Sequence, residues 1–130
     1  MLSTAARIYG VLFLILGMLG FIPAATPNEH LFGLFHVNAA HNVIHLLTGA
    51  VALSVGFTGD RASKIFFLTF GIIYGLISFL GFLAGSRPLF GFMAHNIADA
   101  WLHLAIAAVS IFLGMLPETD RVTDRERVAY

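Results

Sequence analysis

Four apolar runs, about Thr4 to Ile22, Ala39 to Phe57, Ala62 to Ala84 and Ile97 to Leu116, take up nearly the whole chain. A helix needs about 20 residues to cross the hydrocarbon core of a bilayer, and each run supplies them. Inside that core the backbone has no water to bond, so each run must close its hydrogen bonds as helix. The sequence therefore predicts an all-α polytopic membrane protein. A four-helix transmembrane domain over residues 1–116 leaves no room for a separate soluble domain. Composition agrees: 58% of the 130 residues are hydrophobic and 11% charged, the charges gathering near the ends and in one short turn. The natural partner of such a surface is the lipid bilayer, with a second copy or another membrane protein as the further options.

Several function classes drop out. With no cysteine there are no disulfides, thiolate ligands or iron–sulfur clusters, so any site must use nitrogen and oxygen. Net charge is zero, and neither a basic patch nor a phosphate-binding loop is present, so nucleic acid is not an expected partner. Ser54, Ser78 and Ser110 have no visible base beside them, and no enzymatic activity is expected. Residues 117–130, beginning at Pro117, alternate in charge and read as a polar cytoplasmic tail.

The chain is written twice. LFGLFHVNAAHNVIHL at Leu31 to Leu46 returns as LFGFMAHNIADAWLHL at Leu89 to Leu104, and Ile8 to Phe21 aligns without a gap on Thr69 to Phe82. Repeat 1 covers about 4–57 and repeat 2 about 62–116. Arg7, the apolar run behind it and the small Ala24 and Ala25 imitate a cleavable signal peptide, but removing them would destroy half a repeat. Two spans per repeat imply parallel halves related by a pseudo-twofold axis along the membrane normal. Basic residues favour one side, Arg7, Arg61, Lys64, Arg121, Arg125 and Arg127 against Arg87, which predicts an inner, cytoplasmic-membrane protein with both termini cytoplasmic. The loops at Pro23 to Val37 and Gly85 to His95 would then face outward.

Helical spacing gathers Asn38, His41, His45, Gly49, Ala52 and Gly56 on one face of the second span, and Asn96, Asp99, His103, Ala107, Ser110 and Gly114 on one face of the fourth. Small residues let membrane helices approach closely, so these two faces are expected to meet at the bundle axis. Gly71, Gly75, Ser78, Gly81 and Gly85 suit tight packing of the third span. Asn38 and Asn96 read as N-caps, with Asp99 at the third helical position completing a capping arrangement.

His45 and His103 lie about 10 Å along their helices, well inside the apolar region. Polar groups there are costly and need partners. One reading is an interhelical hydrogen-bond clasp worth on the order of 1 kcal/mol, in a non-enzymatic scaffold or accessory subunit. Another is a metal site of His41, His45, Asp99 and His103, a nitrogen and oxygen set that suits zinc, copper, iron or nickel. A third makes His45 and His103 axial ligands of a haem b, although Arg87 is the lone propionate partner in view. A proton or ion path finds no ionisable group to continue it across the inner half. His30, His36 and His95 read as interfacial histidines able to deliver metal or close the site, and Trp101, Phe90 and Phe92 as interface anchors or packing residues.

HNVIHLLTG at His41 to Gly49, with DAWLHL at Asp99 to Leu104, resembles the bacterial and archaeal membrane family known as domain of unknown function 4383. The resemblance covers most of the chain and excludes the tail. It implies a small four-helix inner-membrane protein and brings no activity, substrate or site residue with it.

Overall fold

The computed structural model describes residues 1–118, so the expected tail beyond Glu118 lies outside the described residues. Four helices carry the fold: α1 Leu2–Leu19, α2 Ala39–Thr58, α3 Asp60–Ala84 and α4 Ile97–Met115. Each is long and apolar enough to cross a membrane. Their ends are chemically marked. Asn38 and Asn96 stand in extended backbone just before α2 and α4. Gly59 at φ 138° makes the abrupt join between α2 and α3, and Gly85 at φ 66° ends α3, conformations that favour glycine. Asp60 at the start of α3 accepts from the Ser3 amide at 2.8 Å, tying that end to the start of α1.

The loop after α1 holds structure that the apolar pattern does not announce. A short 3₁₀ turn, Pro27–Glu29, leads into β1 His30–Leu31 and β2 Phe35–His36, an antiparallel pair. The loop before α4 carries a single bridge, Leu89 to Met93. Phe32 and Phe90, at matching places in the two loops, share φ 55°. Asn38 Nδ2 donates to the Phe92 carbonyl and Asn96 Nδ2 to the Leu34 carbonyl, each at 2.8 Å, so either helix start is tied to the other half's loop.

Apart from Asn38 and Asn96, which precede the helices and are only half-buried, the buried faces of α2 and α4 contain the residues expected from helical spacing, joined by Asn42 and Ala100. Their partners differ from the expectation. The faces of α2 and α4 converge at their histidine ends, but along the rest of their length the main partners are others: α1 packs along α2 and α3 along α4. The reason is shape. A stripe of missing side chains is filled best by a protruding one, so Gly49 receives Leu14, Gly10 receives Leu53, Gly17 receives Leu46, Gly71 receives Ile111 and Gly114 receives Leu68. In the first pair Gly10 and Gly49 also face each other, a Cβ at either position coming within 2.8 Å of the other's carbonyl oxygen. The middle of the bundle goes instead to aromatic rings: Phe70 lies 5.7 Å from Tyr9, 5.5 Å from Phe13 and 4.0 Å from Tyr74 between centroids. Tyr9 adds a polar tie from α1 to α4, its hydroxyl 2.8 Å from Ser110 Oγ.

Candidate metal centre

The cluster is built from the starts of α2 and α4 upward. Asn38 Oδ1 accepts from the His41 amide at 3.0 Å, which fixes the first turn of α2. One turn further on, His45 projects from the same face. In α4 Asn96 Oδ1 accepts from the Asp99 amide at 3.0 Å, while Asp99 Oδ2 accepts from the Asn96 amide at 2.9 Å, a complete capping box. His103 follows one turn after Asp99.

These starts bring three imidazoles together inside the protein. His41, His45 and His103 are buried, and each offers a ring nitrogen such that all three lie within 4.8 Å of one another. His41 Nδ1 donates to the Ala94 carbonyl at 2.9 Å. A carbonyl can only accept, so Nδ1 carries the proton and Nε2 presents a lone pair to the cluster. That Nε2 lies 3.2 Å from His45 Nε2. His45 Nδ1 and His103 Nδ1 are buried without a hydrogen-bond partner. Aromatic rings hold both histidines edge-on: Phe13 against His45 at 5.3 Å and 81°, Tyr74 against His103 at 5.1 Å and 81°.

A cavity of about 70 Å³ borders the cluster on the side of Tyr74, Ile77 and Phe90, and one of about 40 Å³ on the side of Phe13, Leu16 and Phe32. Asp99 lines the smaller one but stands outside the converging set of three. Its Oδ2 is engaged by two backbone amides, that of Asn96 and, at 3.2 Å, that of His36. The loop-side histidines divide. His30 and His36 are partly exposed, whereas His95 is 1% exposed and neither ring nitrogen makes a hydrogen bond of good geometry. Its ring lies against Gly81, where a Cβ would come within 2.6 Å of Nε2. Burial holds this imidazole below the ordinary histidine range, with the Gly81 carbonyl pulling the other way and His36 adding to the lowering.

Sequence reading placed His95 at the interface because it stands in a loop. The residue that decides otherwise is Gly81, on the preceding helix, whose missing side chain opens the space. Trp101 is 61% exposed on the outer side of α4, its ring 5.0 Å from that of Phe82 between centroids.

Residues 3–116 match the model of a protein family described as Domain of unknown function (DUF4383). No curated protein and no solved structure matches the chain.

Proposed function

The chain belongs to the family of domain of unknown function 4383, and from its own side chains we propose that it is a transition-metal-binding membrane protein whose ligands are His41, His45 and His103. The observation that carries this is the convergence of three buried imidazole nitrogens within 4.8 Å. Two nitrogens that share a tetrahedral ion at about 2.0–2.1 Å stand about 3.3 Å apart. His41 Nε2 and His45 Nε2 are 3.2 Å apart. The hydrogen bond from His41 Nδ1 to Ala94 is the outer-shell contact that orients a ligating histidine and fixes its tautomer. Rotation of His103 into the neighbouring cavities closes the set, and a fourth position stays open for water or a small ligand. Three imidazoles favour zinc, copper, nickel or iron over calcium or magnesium.

Asp99 takes the role of positioning residue, holding the start of α4 and the His36 amide. In the clasp reading His45 Nε2–H donates to His41, which accounts for one contact and leaves His45 Nδ1 and His103 Nδ1 without partners. Haem is not favoured by the packing: Phe13 and Tyr74 press on the two histidines, and cavities of about 40 and 70 Å³ give no slot for a macrocycle. Charge bias supports a cytoplasmic-membrane location with the termini inside and the metal site in the outer half. The matched caps and ring pairs support a pseudo-twofold relation between the halves.

The test is purification in detergent without a histidine tag, followed by metal analysis and a visible spectrum, beside a variant carrying His45→Ala and His103→Ala. Stoichiometric metal that disappears in the variant is the expected outcome. Metal-replete protein that binds none leaves the clasp, and a Soret band turns the site over to haem.

A further inference from the structure

We infer that the seam between α2 and α3 is a binding site for one anionic phospholipid, with an acyl chain lying in the seam and the phosphate on Arg61 and Lys64. The binding is independent of the histidine cluster and of any metal there.

The bundle consists of two close helix pairs, α1 with α2 and α3 with α4, so α2 and α3 belong to different pairs although Gly59 alone joins them. Their seam stays open as a groove of about 620 Å³, walled by Val51 and Val55 on α2 and by Ala62, Ile65, Thr69 and Ile73 on α3. From Ala62 to Ile73 the groove runs about 16 Å at 1.5 Å per residue, roughly half of a hydrocarbon core about 30 Å thick. That is the depth of one leaflet. Beyond Ile73 the space among Ile44, His45, Tyr74 and Ile77 falls to about 70 Å³. A partner helix would need a groove through both leaflets, whereas an acyl chain needs only one.

Charge sets the preference at the open end. Arg61 heads the i, i+4 stripe that Ile65, Thr69 and Ile73 continue, and Lys64 stands one turn along. Arg61 is exposed and Lys64 half-buried, and neither has an ion-pair partner among the described residues. Asp60, their acidic neighbour, is turned to α1, its carboxylate 2.9 Å from the amino terminus and 2.8 Å from the Ser3 amide. Two cations at the mouth of a groove between spans attract an anionic headgroup at the membrane surface.

The matching seam between α4 and α1 is built differently. Tyr9 bridges it, with its hydroxyl 2.8 Å from Ser110 Oγ, whereas the first seam has Phe70 in that place and no hydroxyl. Ser3 stands where the first seam has Lys64. The repeat therefore supplies an internal control.

Native mass spectrometry of the full chain, released from detergent with palmitoyl-oleoyl phosphatidylglycerol or with phosphatidylcholine of the same chains, counts and ranks the bound lipid. Wild type is expected to retain one phosphatidylglycerol roughly 25-fold more tightly than phosphatidylcholine, about fivefold for each cation. Arg61→Gln and Lys64→Gln should each cut that preference about fivefold and together erase it, leaving phosphatidylcholine unchanged. Val51→Phe with Thr69→Phe narrows the seam and should weaken both lipids. Ile8→Phe with Val109→Phe, at the matching places in the other seam, should weaken neither. Equal retention of the two lipids by wild type overturns the proposal, as does a preference that survives the loss of both cations. Lipid binding untouched by the seam-narrowing variant overturns the groove as its site, and a dimer of the chain that this variant dissociates assigns the groove to a second copy instead.

Discussion

At the loop-side end of α2 the buried positions are His41, Asn42 and His45, and at the same end of α4 they are Asp99, Ala100 and His103. The framework around them is shared. An asparagine caps either helix, donates to the opposite loop at 2.8 Å, and follows a loop whose phenylalanine sits at φ 55°. The fillings differ. In the first half the Asn42 amide occupies the space that Gly20 leaves, whereas in the second Ala100 yields that space to the His95 imidazole, which leans on Gly81. Where the framework demands a residue, as at a helix start, both halves supply it. Where it only demands volume, they have diverged, and that is where the chemistry differs.

The divergent pair His41 and Asp99 gives the largest expected effect. His41→Ala should abolish metal retention in untagged protein, because it removes the nitrogen already 3.2 Å from His45. Asp99→Ala should leave the metal in place and cost about 1–2 kcal/mol of stability, since it strips an acceptor from the Asn96 and His36 amides. Metal analysis and thermal unfolding on the two variants separate ligand from positioning residue. Equal loss of metal from both would return Asp99 to the ligand set.

A smaller effect distinguishes the two helix pairs. A methyl at Gly49 would meet the Gly10 carbonyl oxygen and the Leu14 backbone nitrogen at 2.8 Å, whereas one at Gly71 would meet the Ile111 nitrogen at 3.0 Å and the Ala107 oxygen at 3.1 Å. Backbone cannot swing aside as a side chain can. Gly49→Ala is therefore expected to cost about 1–3 kcal/mol and Gly71→Ala less, overpacking being the cause in both. Unfolding in mixed micelles, followed by helical circular dichroism, reads the order. A reversed order would show that the second pair is the tighter one.

The sequence made the elements legible because membrane helices obey length and polarity, and both are local. The four spans, the caps at Asn38 and Asn96 and the buried faces of α2 and α4 follow from that alone. Which helix faces which did not. Smallness marks Gly49 and Gly114 for close approach but is silent on which helix supplies the partner, Gly10 and Leu14 of α1 for the one and Leu68 of α3 for the other. Of the candidate site, His41, His45 and His103 could be picked out because imidazoles are costly in an apolar helix. Asp99 was harder, since a carboxylate four residues before a histidine fits a ligand and a capping box equally; the Asn96 and His36 amides on its Oδ2 establish the capping contact. The His30 and His36 stack was hidden for a different reason: strands of two residues carry no periodicity.

The smallest expected effect concerns the filling of the second half. His95→Val gives this loop the residue that Val37 supplies at the matching place in the first. The buried imidazole has its affinity for a proton lowered, whereas in the unfolded chain it takes one up near pH 6.5. The unfolded state thus binds the proton first, so the stability that neutral His95 permits is complete above about pH 6.5 and is lost as the pH falls toward the folded value. His36, facing His95, opposes its protonation further when charged itself. Valine has no proton to take. The stability of wild type relative to the valine variant should therefore fall between about pH 7 and pH 5, by no more than about 1.4 kcal/mol per pH unit. Thermal unfolding of both proteins with a chelator present keeps the metal out of the comparison. A difference that stays flat across the range would mean that His95 meets water in the folded protein, and that the second half is filled no more tightly at Gly81 than the first is at Gly20.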